Sequence, residues 1–166
     1  MAPLKVVYPF TVRRDEAEAA LAQYAPGYLP VDVSAHDEAY FDLLSDLWQA
    51  GEGFAVVEHD VVIHDQVIPQ FEQCGQPWCL NAYPRHDLPE FLLMGNLGCT
   101  RFTEELLLGE PDVLEEAIGI ATGMPPKHWV HIDDRIRFVL RQRRLVNGHL
   151  MVPHVHEPPV RHLEAA

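Results

Sequence analysis

An uninterrupted apolar run in the first half of the chain, Phe-Ala-Val-Val at residues 54–57, constrains the fold more than any other segment. Glycines precede it, and three polar residues, Glu58, His59 and Asp60, follow it. A strand with one face in water alternates apolar and polar residues, so a continuous run bounded by turn residues indicates a strand buried on both faces. We therefore predict a strand over residues 54–58 inside a sheet that helices cover on each side.

Similar strand patterns precede this run, and each is followed by a helical pattern. Strands are predicted over residues 4–8 and 28–33, and apolar residues at helical spacing predict helices over residues 15–24 and 34–50. Repeated strand-then-helix units indicate an α/β fold with a mostly parallel, twisted, Rossmann-like sheet and helices on both faces. The second half is more mixed, with strands predicted over residues 78–83 and 91–97 and helices over 66–74, 103–108, 111–122 and 132–146.

The net charge of the chain limits the classes of ligand that the protein is expected to bind. Twenty-five acidic residues against twelve basic ones give a net charge of -13. Such a surface repels phosphate backbones and anionic lipids, so general nucleic-acid binding is not expected. A phosphorylated ligand would need a divalent cation to neutralise it.

The cysteines and the hydropathy of the chain indicate the cellular compartment in which the protein is expected to lie. The three cysteines, Cys74, Cys79 and Cys99, form no even disulfide framework and no C-x-x-C pair. The first residues lack the apolar segment of a signal peptide, and no apolar run reaches the about 18 residues that a membrane helix needs. We therefore expect a cytoplasmic protein with reduced thiols and no membrane span.

The residues after the apolar run are the strongest candidates for chemistry. In open α/β sheets, ligands bind outside the carboxyl ends of the strands, where Glu58, His59 and Asp60 are expected to lie. A carboxylate there can bind Mg²⁺ or Mn²⁺, and the cation can bridge the oxygens of a diphosphate. A polar strand end that only faces solvent is the alternative, since the motif is short.

An apolar central strand that ends in an acidic triplet resembles the D-x-D region of the GT-A glycosyltransferases. The resemblance implies a GT-A-like fold and transfer of a sugar from a nucleotide-diphosphate-sugar donor, UDP- or GDP-linked, to an acceptor hydroxyl. It implies that Asp60 binds a Mn²⁺ or Mg²⁺ ion that holds the donor diphosphate, and that Glu58 and His59 contact the nucleotide. Asp32, near the second strand, is a ribose candidate. Glutamate in place of the first aspartate departs from the family pattern and leaves the role of Glu58 open.

The resemblance extends to the first predicted strand and the loop after it. Tyr8, Pro9 and Phe10 would contact the base and ribose of the donor. Arg13 or Arg14 would lie near the donor phosphates, where an arginine can donate two hydrogen bonds to phosphate oxygens. A strand that simply ends at Pro9, followed by solvated arginines, is the alternative.

A second cluster lies late in the chain, where Trp129 precedes Asp133 and Asp134 at a predicted helix start. Inverting members of the family deprotonate the acceptor with an acid in a comparable place, so the resemblance implies Asp133 or Asp134 as the catalytic base. Trp129, Gly95 and Asn96 would contact the acceptor. Helix capping by the two aspartates explains the same pattern.

Histidines supply the remaining metal-ligand candidates. His154 and His156 are separated by one residue, so both side chains point the same way in an extended segment. Many members of the family donate a C-terminal histidine to the metal, and we therefore pair His154 or His156 with Asp60. A surface tail whose histidines bind nothing is the alternative.

With 166 residues, the chain has room for one compact domain and is short for this family. We predict a single GT-A-like domain over residues 1–166. It would comprise a nucleotide-binding half at 1–64, an abbreviated acceptor half at 65–149 and a His-rich tail at 150–166. An acceptor half of that size would suit a macromolecular acceptor that supplies part of the pocket.

Two other classes of function are compatible with these residues. A zinc-dependent hydrolase would use Glu58, His59, Asp60 and the tail histidines to activate water, although the chain has no H-E-x-x-H motif. A non-catalytic nucleotide-binding or scaffold protein would keep the α/β core without turnover. Binding of UDP or GDP with Mn²⁺ separates the transferase from the hydrolase, and release of sugar from the donor separates it from the scaffold.

Overall fold

Strands and helices alternate through the first half of the chain in the computed structural model, which describes residues 3–84, 93–94, 97–120, 125–143 and 153–163. The elements of this half are β1 (Lys5–Phe10), α1 (Asp15–Tyr24), β2 (Leu29–Asp32), α2 (Ala39–Ala50), β3 (Phe54–Val57), β4 (Val61–Val62) and α3 (Val67–Gln73). The later elements are β5 (Trp78–Asn81), β6 (Tyr83–Pro84), β7 (Leu93–Met94), β8 (Cys99–Phe102), α4 (Glu104–Gly109), α5 (Val113–Gly119), α6 (Trp129–Gln142), β9 (His154–His156) and β10 (Arg161–His162).

Six of the described strands form one sheet, in the order β2-β1-β3-β8-β5-β9. Within it, β1 pairs in parallel with β2 and β3, and β5 pairs in parallel with β9. β8 pairs antiparallel with both β3 and β5, so it alone among the six runs in the opposite direction. Two short antiparallel pairs, β4 with β10 and β6 with β7, accompany the sheet. The predicted α/β fold with a mostly parallel sheet is confirmed.

Helices pack on both faces of this sheet because successive strand side chains point to opposite sides. On one face, Phe54 and Val56 of β3 belong to a hydrophobic core with residues of α2, α4, α5 and α6. On the other face, Ala55 and Val57 belong to a core with residues of α1 and α3. All four β3 residues are buried, as the apolar run predicts. None of the helices that the structure describes is long and apolar enough to cross a membrane.

The antiparallel strand β8 is the main difference from the predicted arrangement. The sequence predicts no strand between the one over residues 91–97 and the helix over 103–108, whereas Cys99–Phe102 form β8 in the middle of the sheet. Thr100 and Arg101 interrupt the apolar pattern that marks a strand buried on both faces. Thr100 is nevertheless buried, and Arg101 donates from Nη1 to two backbone carbonyls before β5, at 3.1 and 3.0 Å. Partners so distant in sequence leave no local signal.

Two boundaries near the predicted site residues also differ. β1 continues to Phe10, although the sequence predicts that Pro9 ends it. Pairing with β3 extends only as far as Val7, so beyond that point β1 has β2 as its single neighbour and tolerates a residue without an N–H group. Helix α6 begins at Trp129, before the start at residue 132 predicted from the aspartates.

Phe102, the last residue of β8, is the centre of an aromatic cluster. The centroid of its ring lies 5.3 Å from that of Trp48, 5.4 Å from that of Phe54 and 6.0 Å from that of Trp78. These three residues belong to α2, β3 and β5, so Phe102 packs against both neighbouring strands and the helix above them. The side chain is 1% exposed.

Phe102→Ala is therefore expected to lower the free energy of unfolding by about 3–5 kcal/mol, because it leaves a cavity in a close-packed core. Chemical denaturation monitored by tryptophan fluorescence measures the loss. Phe138→Ala is the matched control, since Phe138 is 54% exposed on α6. Equal losses in the two variants would contradict the role assigned to β8.

Candidate functional site

A pocket of about 80 Å³, partly open to solvent, lies at the carboxyl ends of three parallel strands. Its walls come from the ends of β1, β2 and β3 and from the start of α2, and the lining residues are Pro9, Thr11, Val33, His36, Asp37, Tyr40, Glu58, His59 and Asp60. The carboxyl ends of parallel strands are the usual ligand position in open α/β sheets, because the loops there can diverge around a ligand. The whole acidic triplet therefore faces a cleft rather than bulk solvent alone.

Glu58 is the half-buried first residue of the triplet. Its Oε1 accepts a hydrogen bond of 2.8 Å from the hydroxyl of Tyr40, and its backbone N–H donates to the carbonyl of Gly98 at 2.8 Å. Burial, together with the negative charges of Asp133 and Asp60, raises the pKa of Glu58 to about 8. Glu58 is consequently protonated in a large fraction of molecules near neutral pH.

Asp133 reaches the same cluster from helix α6. Its Oδ1 is buried and has no hydrogen-bond partner among the residues that the structure describes. Burial raises the pKa of Asp133 to about 7, with the charge of Asp134 in the same direction and a backbone hydrogen bond from Leu97 opposing it. Asp134 lies elsewhere on the helix, with an exposed carboxylate 3.9 Å from Arg137. The two predicted catalytic candidates therefore separate, and only Asp133 lies beside Glu58.

Asp60 is held by the strand pair β4–β10. Its Oδ2 lies 3.0 Å from Nε2 of His162, and its backbone carbonyl accepts a hydrogen bond from the N–H of Leu163. Burial favours the neutral form of Asp60, but the hydrogen bond from His162 and the charges of His162 and His59 outweigh it and lower the pKa. Burial likewise lowers the pKa of His59. Asp60 is thus an ionised carboxylate in a partly buried place.

The predicted metal-ligand histidines lie elsewhere. His154 and His156 belong to β9, which β8 and β5 separate from β3 in the sheet. Nδ1 of His154 lies 3.4 Å from Sγ of Cys74, and His156 is buried on the α3 side. The structure does not bring this pair to Asp60, and His162 contacts Asp60 instead.

The residues predicted to bind the nucleotide divide into two groups. Pro9 lines the pocket together with Glu58 and His59. Tyr8, by contrast, is fully buried in the core, where its hydroxyl accepts a 3.4 Å hydrogen bond from the backbone N–H of Arg14. Its ring packs between those of two neighbouring aromatic residues.

Phe10, Arg13 and Asp32 make local contacts outside the pocket lining. The guanidinium of Arg13 lies 4.9 Å from the ring centroid of Phe10, and its Nε lies 3.3 Å from Glu18. Asp32 is exposed and accepts a 2.8 Å hydrogen bond from the N–H of Ser34, and hydrogen bonds from the side chain and the backbone of Ser34 lower its pKa. Each of these side chains contacts a residue that is close to it in the sequence.

The predicted acceptor residues lie largely outside the part of the chain that the structure describes. Gly95 and Asn96 lie outside the described residues. Trp129 begins α6, but its side chain is also outside them.

Three further side chains lie at this site although they are not among the residues predicted for it: Tyr40, Tyr83 and His162. Tyr40 carried no signal, because its spacing places it on the apolar stripe of α2. Tyr83 stacks on His162 with 4.9 Å between ring centroids, and burial beside Glu58 raises its pKa. Gly98 allows this approach, since a Cβ atom there would lie 2.8 Å from the Tyr83 hydroxyl and 3.1 Å from Oε2 of Glu58.

The fold is similar to that of known structures at low sequence identity. A crystal structure of a glycosyltransferase involved in the glycosylation of the major capsid of PBCV-1 matches 99% of this chain and 96% of its own, at 11% identity and a TM-score of 0.57. The crystal structure of A197 from STIV matches 64% of this chain and 67% of its own, at 16% identity and a TM-score of 0.47. No family model and no curated protein matches the sequence. The first likeness shows a glycosyltransferase-like fold over nearly the whole chain.

The raised pKa of Glu58 predicts how stability depends on pH. A carboxyl with a higher pKa in the folded protein than in the unfolded chain favours folding at low pH, and this contribution is lost as pH rises from 4.5 to about 8. Glu58→Gln removes the titrating group and keeps an oxygen that can accept from Tyr40. With EDTA present, its melting temperature should exceed that of the wild type above about pH 8 and should fall less between about pH 5 and pH 8. Glu72→Gln, an exposed change on α3, is the control, and parallel pH curves for Glu58→Gln and the wild type would contradict the prediction.

Proposed function

We propose that the protein is a glycosyltransferase that moves a hexose from a UDP- or GDP-sugar to an acceptor hydroxyl with the help of Mn²⁺ or Mg²⁺. The observation that carries this proposal is the pocket at the carboxyl ends of β1, β2 and β3, one wall of which is the acidic end of β3. That edge of an α/β sheet is where nucleotides bind in other folds of this class. Similarity over 99% of the chain to a glycosyltransferase structure supports the same function.

The pocket offers complementary surfaces for a nucleotide. Pro9 and Val33 provide apolar walls for a base, and Thr11 and Asp37 can hydrogen-bond a ribose. Arg14 is the arginine that suits the phosphates. Its charge acts on His59 in the pocket wall, and its buried Nε has no hydrogen-bond partner in the described part of the chain. An unpaired buried guanidinium nitrogen beside the pocket is a donor available to a phosphate oxygen.

Asp60 fits the role of a metal ligand. Its Oδ1 is buried and has no hydrogen-bond partner among the described residues, while Oδ2 is oriented by His162. Mg²⁺ is commonly held by one or two carboxylates and the substrate phosphates rather than by a complete protein cage. A bound Mn²⁺ or Mg²⁺ ion would neutralise the diphosphate as it leaves. The net charge of -13 makes such neutralisation necessary for an anionic donor.

Asp133 is the general base in this proposal. It takes the proton of the acceptor hydroxyl, the acceptor oxygen bonds to the anomeric carbon of the donor sugar, and the bond from that carbon to the phosphate oxygen breaks. A pKa of about 7 leaves a large ionised fraction at neutral pH while keeping the carboxylate a competent base. Asp134, which is exposed beside Arg137, is the less suitable of the two predicted candidates.

The zinc-hydrolase alternative depends on where the structure places the candidate zinc ligands. That reaction would need the triplet and several tail histidines at one ion, but His154 and His156 lie on β9 beyond β8 and β5, and His162 is the tail histidine that contacts Asp60. Measurements of nucleotide binding and turnover distinguish the scaffold alternative from the transferase.

Addition of UDP or GDP together with Mn²⁺ is expected to raise the melting temperature by about 5–10 °C at about 100 times the dissociation constant. Differential scanning fluorimetry with each nucleotide, with and without Mn²⁺, measures the shift. Asp60→Asn should abolish the part of the shift that requires Mn²⁺. Asp65→Asn, which changes an aspartate that is 76% exposed, should leave it intact. No shift with either nucleotide would favour the scaffold, and a shift independent of Mn²⁺ would contradict the role of Asp60.

Asp133→Asn should lower kcat by about 10²–10⁴-fold, because the acceptor or water loses its general base. Release of UDP or GDP from a library of nucleotide sugars measures the rate. In the wild type the rate should rise with pH through about 7, as Asp133 loses its proton. Asp134→Asn is the control on the same helix, and an equal loss in both variants, or a rate that falls through this pH range, would exclude Asp133 as the base.

A further inference from the structure

A cluster of thiol and imidazole groups lies outside the pocket, between α3, β5 and β9. One potential ligand atom from each of Cys74, Cys79 and His156 lies within 4.8 Å of the other two. Nδ1 of His154 lies 3.4 Å from Sγ of Cys74. Three groups that zinc prefers therefore lie close together, and a fourth, the imidazole of His154, lies beside the thiol of Cys74.

The pairing of β5 with β9 creates this cluster. Cys79 and His154 are partners in the parallel register, so their side chains lie on the same face of the sheet. His156 follows two residues along β9 and shares that face. Cys74 ends α3, and the segment between Cys74 and Cys79 turns back onto β5. The C-x₄-C spacing is within the range found at structural zinc sites.

The distances suit a tetrahedral ion. Zinc–sulfur bonds of about 2.3 Å and zinc–nitrogen bonds of about 2.0–2.1 Å put neighbouring ligand atoms about 3.4–3.8 Å apart. The contact between Cys74 and His154 already has this length, and the ligand atoms of Cys74, Cys79 and His156 need to close by about 1 Å.

One further observation points to a ligand, and a second shows how Cys74 is positioned. Nε2 of His156 is buried and has no hydrogen-bond partner among the residues that the structure describes, and burying such a group without a partner is costly. Arg101 fixes the turn that carries Cys74 through hydrogen bonds to the carbonyls of Cys74 and Gln76. The backbone that carries Cys74 is therefore held in place by Arg101.

We infer that Cys74, Cys79, His154 and His156 bind one Zn²⁺ ion in a structural site. Two thiolates and two neutral imidazoles balance the charge of Zn²⁺ and fill its coordination, so no position is left for a substrate or water. Thiolates also select zinc over Mn²⁺ and Mg²⁺, which separates this site from the one at Asp60. The ion joins β9 to the α3–β5 turn and thereby holds the segment that continues to His162.

The test uses the full, untagged chain, reduced and stripped of metal with EDTA. Titration with Co²⁺ should give thiolate-to-cobalt charge-transfer absorption and the visible bands of a tetrahedral ion, saturating at about one Co²⁺ per chain, and Zn²⁺ should displace it. Added Zn²⁺ should also raise the melting temperature.

Cys74→Ser and His156→Ala are each expected to lose the charge-transfer absorption or shift it away from the tetrahedral form, and to lose the thermal response to Zn²⁺. Cys99→Ala removes a buried cysteine outside the cluster and should keep both. Asp60→Asn should also keep both, so failure of this inference is distinguishable from failure of the nucleotide site. Absence of Co²⁺ absorption in the reduced wild type, or full absorption in Cys74→Ser, would overturn the zinc site. A Cys74–Cys79 disulfide that resists reduction would overturn it as well.

Discussion

The insertion of β8 between β3 and β5 is the constraint on which the rest of the structure depends. Two parallel groups of strands, β2-β1-β3 and β5-β9, belong to one sheet only because β8 pairs with both. Since β8 runs the opposite way, it begins at the edge where β3 ends. The carbonyl of Gly98 can therefore accept a hydrogen bond from the N–H of Glu58, and the backbone of Leu97 can hydrogen-bond Asp133. The strand thus joins the sheet and brings the second half of the chain to the acidic end of β3.

Several acidic groups lie close together at that edge, where their negative charges repel one another. Burial raises the pKa of Glu58 and Asp133, and the charges of Asp133 and Asp60 raise that of Glu58 further. Asp60 escapes this trend because a histidine donates a hydrogen bond to it. Carboxylates whose environments push their pKa values apart are characteristic of functional sites, because one can bind a cation while another exchanges a proton.

The features that could be predicted from the sequence are those carried by one continuous segment. The apolar run before Glu58 predicted both a fully buried strand and a polar edge, because burial on two faces leaves a mark in every residue. Strand-then-helix order predicted the parallel part of the sheet for the same reason. The resemblance to the GT-A family implied that Pro9 contacts the donor. Pro9 does line the pocket, although it does not end its strand, because the first strand of such a sheet ends at the same edge as the third.

Features that depend on pairing between distant segments could not be predicted. Alternation places His154 and His156 on one face, but the partner of that face is decided by the register of β9 on β5. His162 contacts Asp60 through a two-residue pairing of β10 with β4, which no periodicity reveals. The resemblance implies that Tyr8 contacts the donor, yet Tyr8 is buried against the rings of Phe10, in its own strand, and Tyr28, which precedes β2.

The contact of His162 with Asp60 also has a consequence for biosynthesis. About one hundred residues separate the two, so at about 5–20 residues per second a ribosome needs about 5–20 seconds to make the chain between them. During that interval β1 to β3 can emerge and pair, but the carboxylate of Asp60 lacks its histidine. The strands β1, β2 and β3 can consequently pair well before β10 brings His162 to Asp60, whereas the complete sheet also requires the late strand β9.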